Sequence, residues 1–391
     1  MVSEAPDPRP APSPAAGSVS VRPISRDEHE ELLRRHPEAS FLQNPAWAAV
    51  KSGWRAQSLG FETAGRLVGA ALVLYRAVPV PRWVPVLGSA SLAYITEGPV
   101  LDDGVRLRDA LPPLVEHLRR EGAFEVRLGP PGVVRRWAAD DVRKALKDPE
   151  YTSLMDLQHD LDAKEVAVEE DLRALGWRAP AVTEEFIAGQ PMFQARIPLE
   201  GLDVDGVLKR MNQTSRSETR KSTRTELTIR RGGVELLEDF HGLYTETAAR
   251  EGFNGRAQPY FERVVEAMDA SALSEAEVFV ASHEGRPLAG AITLRQGHFA
   301  WYPYGGSSLE ERKRFAPRAL QLEQITAAVE AGCHWYDLGG VSSSLRQDHK
   351  LAGLTLFKTA MGADLIQTHG EWTLPLRAPL AKAFELYMSR R

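Results

Sequence analysis

Gly65-Arg66-Leu67-Val68-Gly69-Ala70-Ala71-Leu72 and Gly285-Arg286-Pro287-Leu288-Ala289-Gly290-Ala291-Ile292 carry one pattern twice. Each follows an apolar-rich stretch and runs into another, which predicts a strand, a glycine-containing turn and a returning strand. A second echo lies downstream in each half: Gly122 precedes Leu128-Gly129 by the same interval at which Gly332 precedes Leu338-Gly339. Both glycines close a helix-like stretch. In the later copy Leu322, Ile325 and Val329 recur at helical spacing, with Glu323, Gln324 and Glu330 elsewhere. Pro317 suits its first turn and Gly332 its left-handed end. The earlier copy has Leu114, Val115 and Leu118 before Gly122. Each half therefore reads as hairpin, helix, strand. Duplication explains two landmarks in one order, although such units also recur in unrelated α+β folds.

The resulting expectation is an α/β (α+β) chain of two tandem domains, and the order of elements resembles the GNAT acyltransferases. A length of 391 residues with 43% hydrophobic content supports two cores. The first domain is expected over residues 19–180 and the second over 181–373, with the crossover near residues 184–195. An amphipathic helix in residues 374–391, carrying Leu380, Phe384 and Tyr387, is expected to pack back on the first domain. Pro6, Pro8, Pro10, Pro12 and Pro14 make residues 1–18 a disordered tail rather than a signal sequence, since no apolar core region is present.

A net charge of −5 excludes a global basic field, so any polyanion must be held by a local patch. One cysteine, Cys333, excludes an internal disulfide framework and a cysteine-based zinc site, and a reducing cytoplasm fits. No metal is expected. No apolar run is long enough to span a bilayer.

Several stretches could carry chemistry. Asn44-Pro45 predicts a helix start, after which Trp47, Val50 and Trp54 share a face with Lys51 beside it. An anchored surface helix with an exposed lysine fits as well. Tyr94 lies on a strand that runs into Gly98-Pro99. Residues 209–231 are the most basic segment, where Arg216 and Arg220 project from one helical face next to Lys221. Such a face can grip phosphates, or simply be solvated. Arg256 and Tyr260 are also four apart and suit a phosphate or a structural stack. Residues 299–307 form an aromatic strand with Tyr302 and Tyr304 that ends in Gly305-Gly306, which fits a groove floor or a core strand. Asp337 ends a strand before Leu338-Gly339-Gly340. Lys358 closes an apolar run read as a half-buried strand, which would aim its ammonium into a cleft or along apolar surface.

Taken together these residues resemble the Fem family. The resemblance rests on Phe41-Leu42-Gln43 with Trp47 and Lys51, and on Tyr94 with Gly98-Pro99-Val100. It continues through Met211 with Arg216 and Arg220, Arg250-Glu251-Gly252 with Arg256 and Tyr260, and Tyr304-Gly305-Gly306-Ser307. Tyr336-Asp337-Leu338-Gly339-Gly340 and Phe357-Lys358 close it. It spans about residues 35–375 and implies two GNAT-like domains. It also implies transfer of a small amino acid (glycine, alanine or serine) from aminoacyl-tRNA, as co-substrate and without a further cofactor, to an amino group of a peptidoglycan precursor. In this resemblance Lys51, Arg256 and Tyr260 hold the precursor's diphosphate, Tyr304 or Tyr302 lines the same cleft, and Lys358 stabilises the transition state. Tyr94 would join the substrate site, Asp337 is a candidate base, and Arg216, Arg220 and Lys221 would meet tRNA. A lipid-linked substrate would bring a monomeric cytoplasmic enzyme to a membrane surface. No inserted coiled-coil arm is expected, because no spare helical hairpin fits between Arg231 and Phe240.

The chain departs from the family's pattern at Thr96-Glu97, where the family often has Pro-Arg or Pro-Glu, and at Met361-Gly362-Ala363-Asp364, where it often has Gly-Phe-Gly-Gly. These differences bear on the acceptor, and a small-molecule or peptide antibiotic intermediate is the alternative to a cell-wall precursor. Of other classes, a CoA-dependent acyltransferase needs a glycine-rich pyrophosphate turn. The chain offers only Arg314-Phe315-Ala316-Pro317-Arg318 and Asp102-Asp103-Gly104-Val105-Arg106 there. A non-catalytic tRNA-binding protein would not need Lys358.

Overall fold

The computed structural model describes residues 18–78, 90–185 and 189–388. All but one residue of the expected tail, and Tyr387's side chain, fall outside what is described. In chain order the first strands are β1 (Ser20–Pro23), β2 (Arg55–Thr63), β3 (Arg66–Ala77), β4 (Ser91–Ile95), β5 (Val100–Leu101), β6 (Ala123–Leu128), β7 (Val133–Trp137) and β8 (Asp160–Leu161). The rest are β9 (Phe193–Pro198), β10 (Thr228–Gly232), β11 (Ser274–His283), β12 (Arg286–Gln296), β13 (Phe299–Ser307), β14 (Trp335–Gly340), β15 (Asp364–Thr368) and β16 (Trp372–Pro375). They form a seven-stranded sheet, β1-β2-β3-β4-β6-β16 with β5 on β3, and a nine-stranded sheet, β10-β11-β12-β13-β14-β9-β15-β7-β8.

The repeat extends to backbone detail. In the first hairpin Thr63 pairs with Arg66, Glu62 with Leu67 and Phe61 with Gly69; in the second His283 pairs with Arg286, Ser282 with Pro287 and Ala281 with Ala289. Both ladders slip by one residue at the same point, an equivalent bulge. Both turns place two consecutive residues at positive φ, Ala64-Gly65 and Glu284-Gly285, as a tight two-residue hairpin requires. The third strand of each unit then crosses over through a helix, Leu107–Arg120 or Ala316–Glu330, to a parallel neighbour: β4 beside β6 and β13 beside β14. Gly122 and Gly332 end these helices in the left-handed region.

The helix Ala316–Glu330 is buried more widely than its periodicity suggests. Leu320, Ile325 and Ala328 are buried, and so are Gln321 and Gln324, whereas Leu322 and Val329 are only partly covered. The helix Gln213–Ser222 packs on it as well as the sheet, so both sides are covered. The buried amides are satisfied: Gln324 Nε2 donates to Thr293 Oγ1 at 2.5 Å, and Tyr336 Oη donates to Gln321 Oε1 at 3.1 Å.

The sheets do not follow the boundary expected at residue 180. β7 and β8 lie before it yet join the second sheet, β7 pairing with β15. In return β16, after the second unit, pairs with β6 in the first sheet. Hydrogen-bonding edges decide this: β6 and β15 each present an open side, and the chain fills each from the other half. The terminal helix Ala378–Met388 lies on the first sheet, with Phe384 against Phe124, ring centroids 5.3 Å apart. Between β10 and the helix Leu237–Glu251 there is only a single turn, Val234–Leu236.

Residues 41–51 wedge between the halves. Phe41 and Trp47 share one core with Trp301, Phe261 and Val264. The fully buried Asn44 donates to Gln296 Oε1 at 2.9 Å and to Ser271 Oγ at 3.0 Å, while its Oδ1 accepts from Ala46 N at 2.9 Å. Gln43 ties the wedge to the first sheet, donating to Thr96 O and accepting from Leu72 N. Asn44→Ala would strand buried partners on the second half. We expect it to lower the unfolding free energy by about 2–3 kcal/mol, read from the urea midpoint, whereas replacing the exposed Lys144 should leave it unchanged.

Candidate functional site

A cleft of about 520 Å³ opens where the wedge meets the second sheet. β13 lays Trp301, Tyr302 and Tyr304 along its floor, and Lys51 and Arg256 line it with Gly339, Gly340 and Lys358. Five residues singled out in separate parts of the sequence, Lys51, Arg256, Tyr260, Tyr304 and Lys358, therefore share one cavity.

At one end two cations face each other from different halves. The helix before Lys51 is only Trp47–Val50, because Lys51 leaves helical geometry at φ −88°, ψ 58°. Trp54 is thus off that helix, against expectation. The Lys51 ammonium lies 5.4 Å from the Trp47 ring centroid. Burial pushes its pKa down and the nearby Arg256 charge pushes it further, with Glu371 opposing. Arg256 stacks over the Tyr260 ring at 4.4 Å, and Tyr260 Oη and Tyr304 Oη hydrogen-bond at 2.7 Å. Neither Lys51 nor Arg256 is within salt-bridge distance of a carboxylate among the described residues. Two cations held near each other without a carboxylate partner are able to hold an anion.

Lys358 stands elsewhere in the cleft. It sits on the helix Ala352–Ala360, not on a strand as expected. The run of apolar residues there covers one face of a short helix packed on the helix Ala139–Ala145. Lys358 is 7% exposed and its Nζ donates to Gly340 O at 2.7 Å. An ammonium has three donors, so two remain for a ligand. Burial lowers its pKa to about 8, with Asp337 opposing. Asp337 is not a free base. Its Oδ2 accepts from Arg196 Nε at 2.7 Å, across the β14–β9 pairing, and its Oδ1 accepts from Gly339 N at 2.6 Å. It fixes the turn that presents Gly340 O to Lys358.

The other expected residues are placed differently. Tyr94 does not line the cleft; its hydroxyl is bonded to Glu371, which also accepts from Gln190 N at 2.8 Å. Tyr302 lies on the cleft floor, with its hydroxyl end close to Gly305, where no side chain would fit, and burial raises its pKa to about 12. Arg216, Arg220 and Lys221 project from the helix Gln213–Ser222, whose Ser215, Thr219 and Ser222 are buried. With Arg224 they line a separate open depression of about 540 Å³. Asp364, one of the residues departing from the Fem pattern, is taken up by Arg210 at 2.9 Å.

Two acids were not anticipated. Glu371 lies within Coulombic reach of Lys51, and Glu97 lines the cleft itself. Burial raises the pKa of both. A glutamate before Gly98-Pro99 carries no periodicity, and Pro-Glu is one of the pairs often found there in the family, so nothing in the sequence marked Glu97. A CoA site in the second unit is disfavoured. Pro317 removes an amide donor from the helix start, and the gap there, about 130 Å³, is bordered by Tyr302 and Phe357.

Comparison with known proteins gives a consistent picture. Residues 24–282 and 267–388 match the FemAB family model. A UDP-N-acetylmuramoylpentapeptide-lysine N(6)-alanyltransferase of Weissella viridescens is 28% identical, over 83% of this chain and 87% of that protein. A lipid II:glycine glycyltransferase of Staphylococcus saprophyticus is 23% identical, over 93% of this chain and 94% of its own length. The crystal structure of FemX superposes with a TM-score of 0.75 at 21% identity, covering 94% of this chain and all of that one. A tandem GNAT protein from the clavulanic acid biosynthesis pathway gives 0.50 at 13% identity, covering 91% of this chain and 98% of that one.

Lys358 also has a consequence for stability. Below about pH 8 the folded chain holds this proton in a dry site at a cost of about 3 kcal/mol, which fades as pH rises toward the ordinary lysine value of 10.5. Lys358→Met removes that cost along with one hydrogen bond. We expect a higher Tm than wild type at pH 7, a smaller gap at pH 10, and loss of any transfer activity. A lower Tm at pH 7 would contradict the buried-charge account.

Proposed function

The chain belongs to the FemAB family, and from that premise we propose that it forms a peptide bond by moving an amino acid from aminoacyl-tRNA to an amino group of a peptidoglycan precursor. Its relatives are a glycyltransferase named for lipid II and an alanyltransferase named for the lysine of a muramoyl pentapeptide. The observation that carries the reading is the cleft, with its unneutralised Lys51 and Arg256 and the buried Lys358 ammonium.

The chemistry follows from this layout. An aminoacyl ester is already activated, so the enzyme must position an amine against its carbonyl and stabilise the oxyanion that forms. Lys51, Arg256 and the Tyr260–Tyr304 hydroxyl pair suit the diphosphate that UDP-linked and lipid-linked precursors both carry. Lys358, with donors to spare, suits the oxyanion. Asp337 acts through others: it holds the Gly339-Gly340 turn and favours the charged form of Lys358. The basic depression around Arg216, Arg220 and Lys221 suits the tRNA backbone, whose binding would then weaken with salt.

Purified protein given charged tRNA and UDP-linked or lipid-linked muropeptide precursors should add one or more amino-acid masses to the precursor, and ribonuclease should abolish the product. If the tRNA binds and stays charged in the presence of every precursor, the acceptor is a small amine instead. Arg256→Ala should raise the KM for precursor by about 10- to 100-fold with little change for charged tRNA, the loss of a charge-assisted contact. Arg216→Glu with Arg220→Glu should do the reverse.

A further inference from the structure

Aminolysis needs a neutral amine that sheds a proton as the new bond forms, and none of the residues assigned so far receives it. Glu97 stands in the wall between two cavities. One is the cleft with Lys358; the other is a side cavity of about 250 Å³ lined by Glu38, Arg136, Arg196 and the rings of Phe299, Trp301 and Trp335. Gln190 and Trp301 border both.

We propose that Glu97 is the proton acceptor of the transfer reaction and that the side cavity is its route to solvent. This rests on the function proposed above. As the acceptor nitrogen bonds to the ester carbon, its proton passes to a Glu97 oxygen. The ribose oxygen leaves with the electron pair of the ester bond and takes a proton from Lys358, which regains one from water. Glu97 returns its proton to water through the side cavity, past the exposed Glu38.

The surroundings fit that role. Asp337 is unsuited because Arg196 and Gly339 occupy its oxygens. Around Glu97 the facing groups are Ser40 just before the wedge, Tyr94 from β4, Gln194 and Arg196 from β9, and Asp337 from β14. Ser40, Gln194 and Arg196 favour the carboxylate, while burial and Asp337 favour the acid. Burial is the largest effect, so the carboxyl is held above the ordinary glutamate value and is a stronger base than a solvated one. Its backbone is in the left-handed region at φ 50°, outside any hairpin turn, a conformation a glycine would adopt at lower cost.

The test is the pH dependence of kcat for wild type and Glu97→Gln with charged tRNA and precursor. Wild-type kcat should fall toward acid pH through a pKa above the ordinary 4.5, since the carboxylate is the active form. Glu97→Gln should lose about 100-fold or more in kcat, keep its KM, and lack that acid limb, while Glu97→Asp recovers part of the rate. Glu97→Gly should fold at least as stably as wild type and be as inactive as Glu97→Gln, which separates chemistry from folding. An active wild type matched by Glu97→Gln in rate and pH profile overturns this proposal alone. A folded wild type that transfers nothing to any acceptor overturns the parent reading and this proposal with it.

Discussion

The exchange of strands between the two halves is the constraint on which the site depends. β7 and β8 leave the first unit to pair in the second sheet, and β16 leaves the second to pair in the first. β9 then sits between β14 and β15, so its Arg196 meets Asp337 in register. Separating the halves would break ladders in both sheets and expose the core shared by Phe41, Trp47 and Trp301. A two-sided cleft built this way brings Lys51 and Arg256, from different halves, to one cavity.

The duplication was legible because it is written in backbone requirements. A tight hairpin turn needs two positive-φ positions, and Gly65 and Gly285 each supply one; a helix that stops needs a left-handed residue, and Gly122 and Gly332 supply it. Such needs leave residue types at fixed intervals. The exchange of strands leaves none, because an edge is filled by whichever strand reaches it, and nothing in residues 133–137 says which sheet they join. Lys358 misled for a related reason: a short apolar run has the same composition in a buried strand and on a short helix, and only packing against residues 139–145 decides.

The candidate site was legible where long side chains converge from different segments, as Lys51, Arg256, Tyr260 and Tyr304 do. The resemblance supplied that grouping; spacing alone left each one open. Where the Tyr94 hydroxyl points was not legible, because a tyrosine at a strand end has two directions available; it goes to Glu371. Glu97 and Glu371 carried no sequence signal, since a buried acid differs from a surface acid only in what surrounds it.

Burial acts on Lys358 and Glu97 in opposite directions along the pH axis, and both shifts bring the groups nearer to neutrality. The ammonium is drawn down to about 8 and the carboxyl is raised. Left empty, the cleft therefore holds both charges weakly. At the other end of the cleft, a diphosphate bound as proposed at Lys51 and Arg256 would oppose the repulsion that depresses Lys51. In the proposed reading the acceptor's own phosphates supply the charge that keeps Lys51 an ammonium, and an acceptor lacking them would leave the two cations to repel each other.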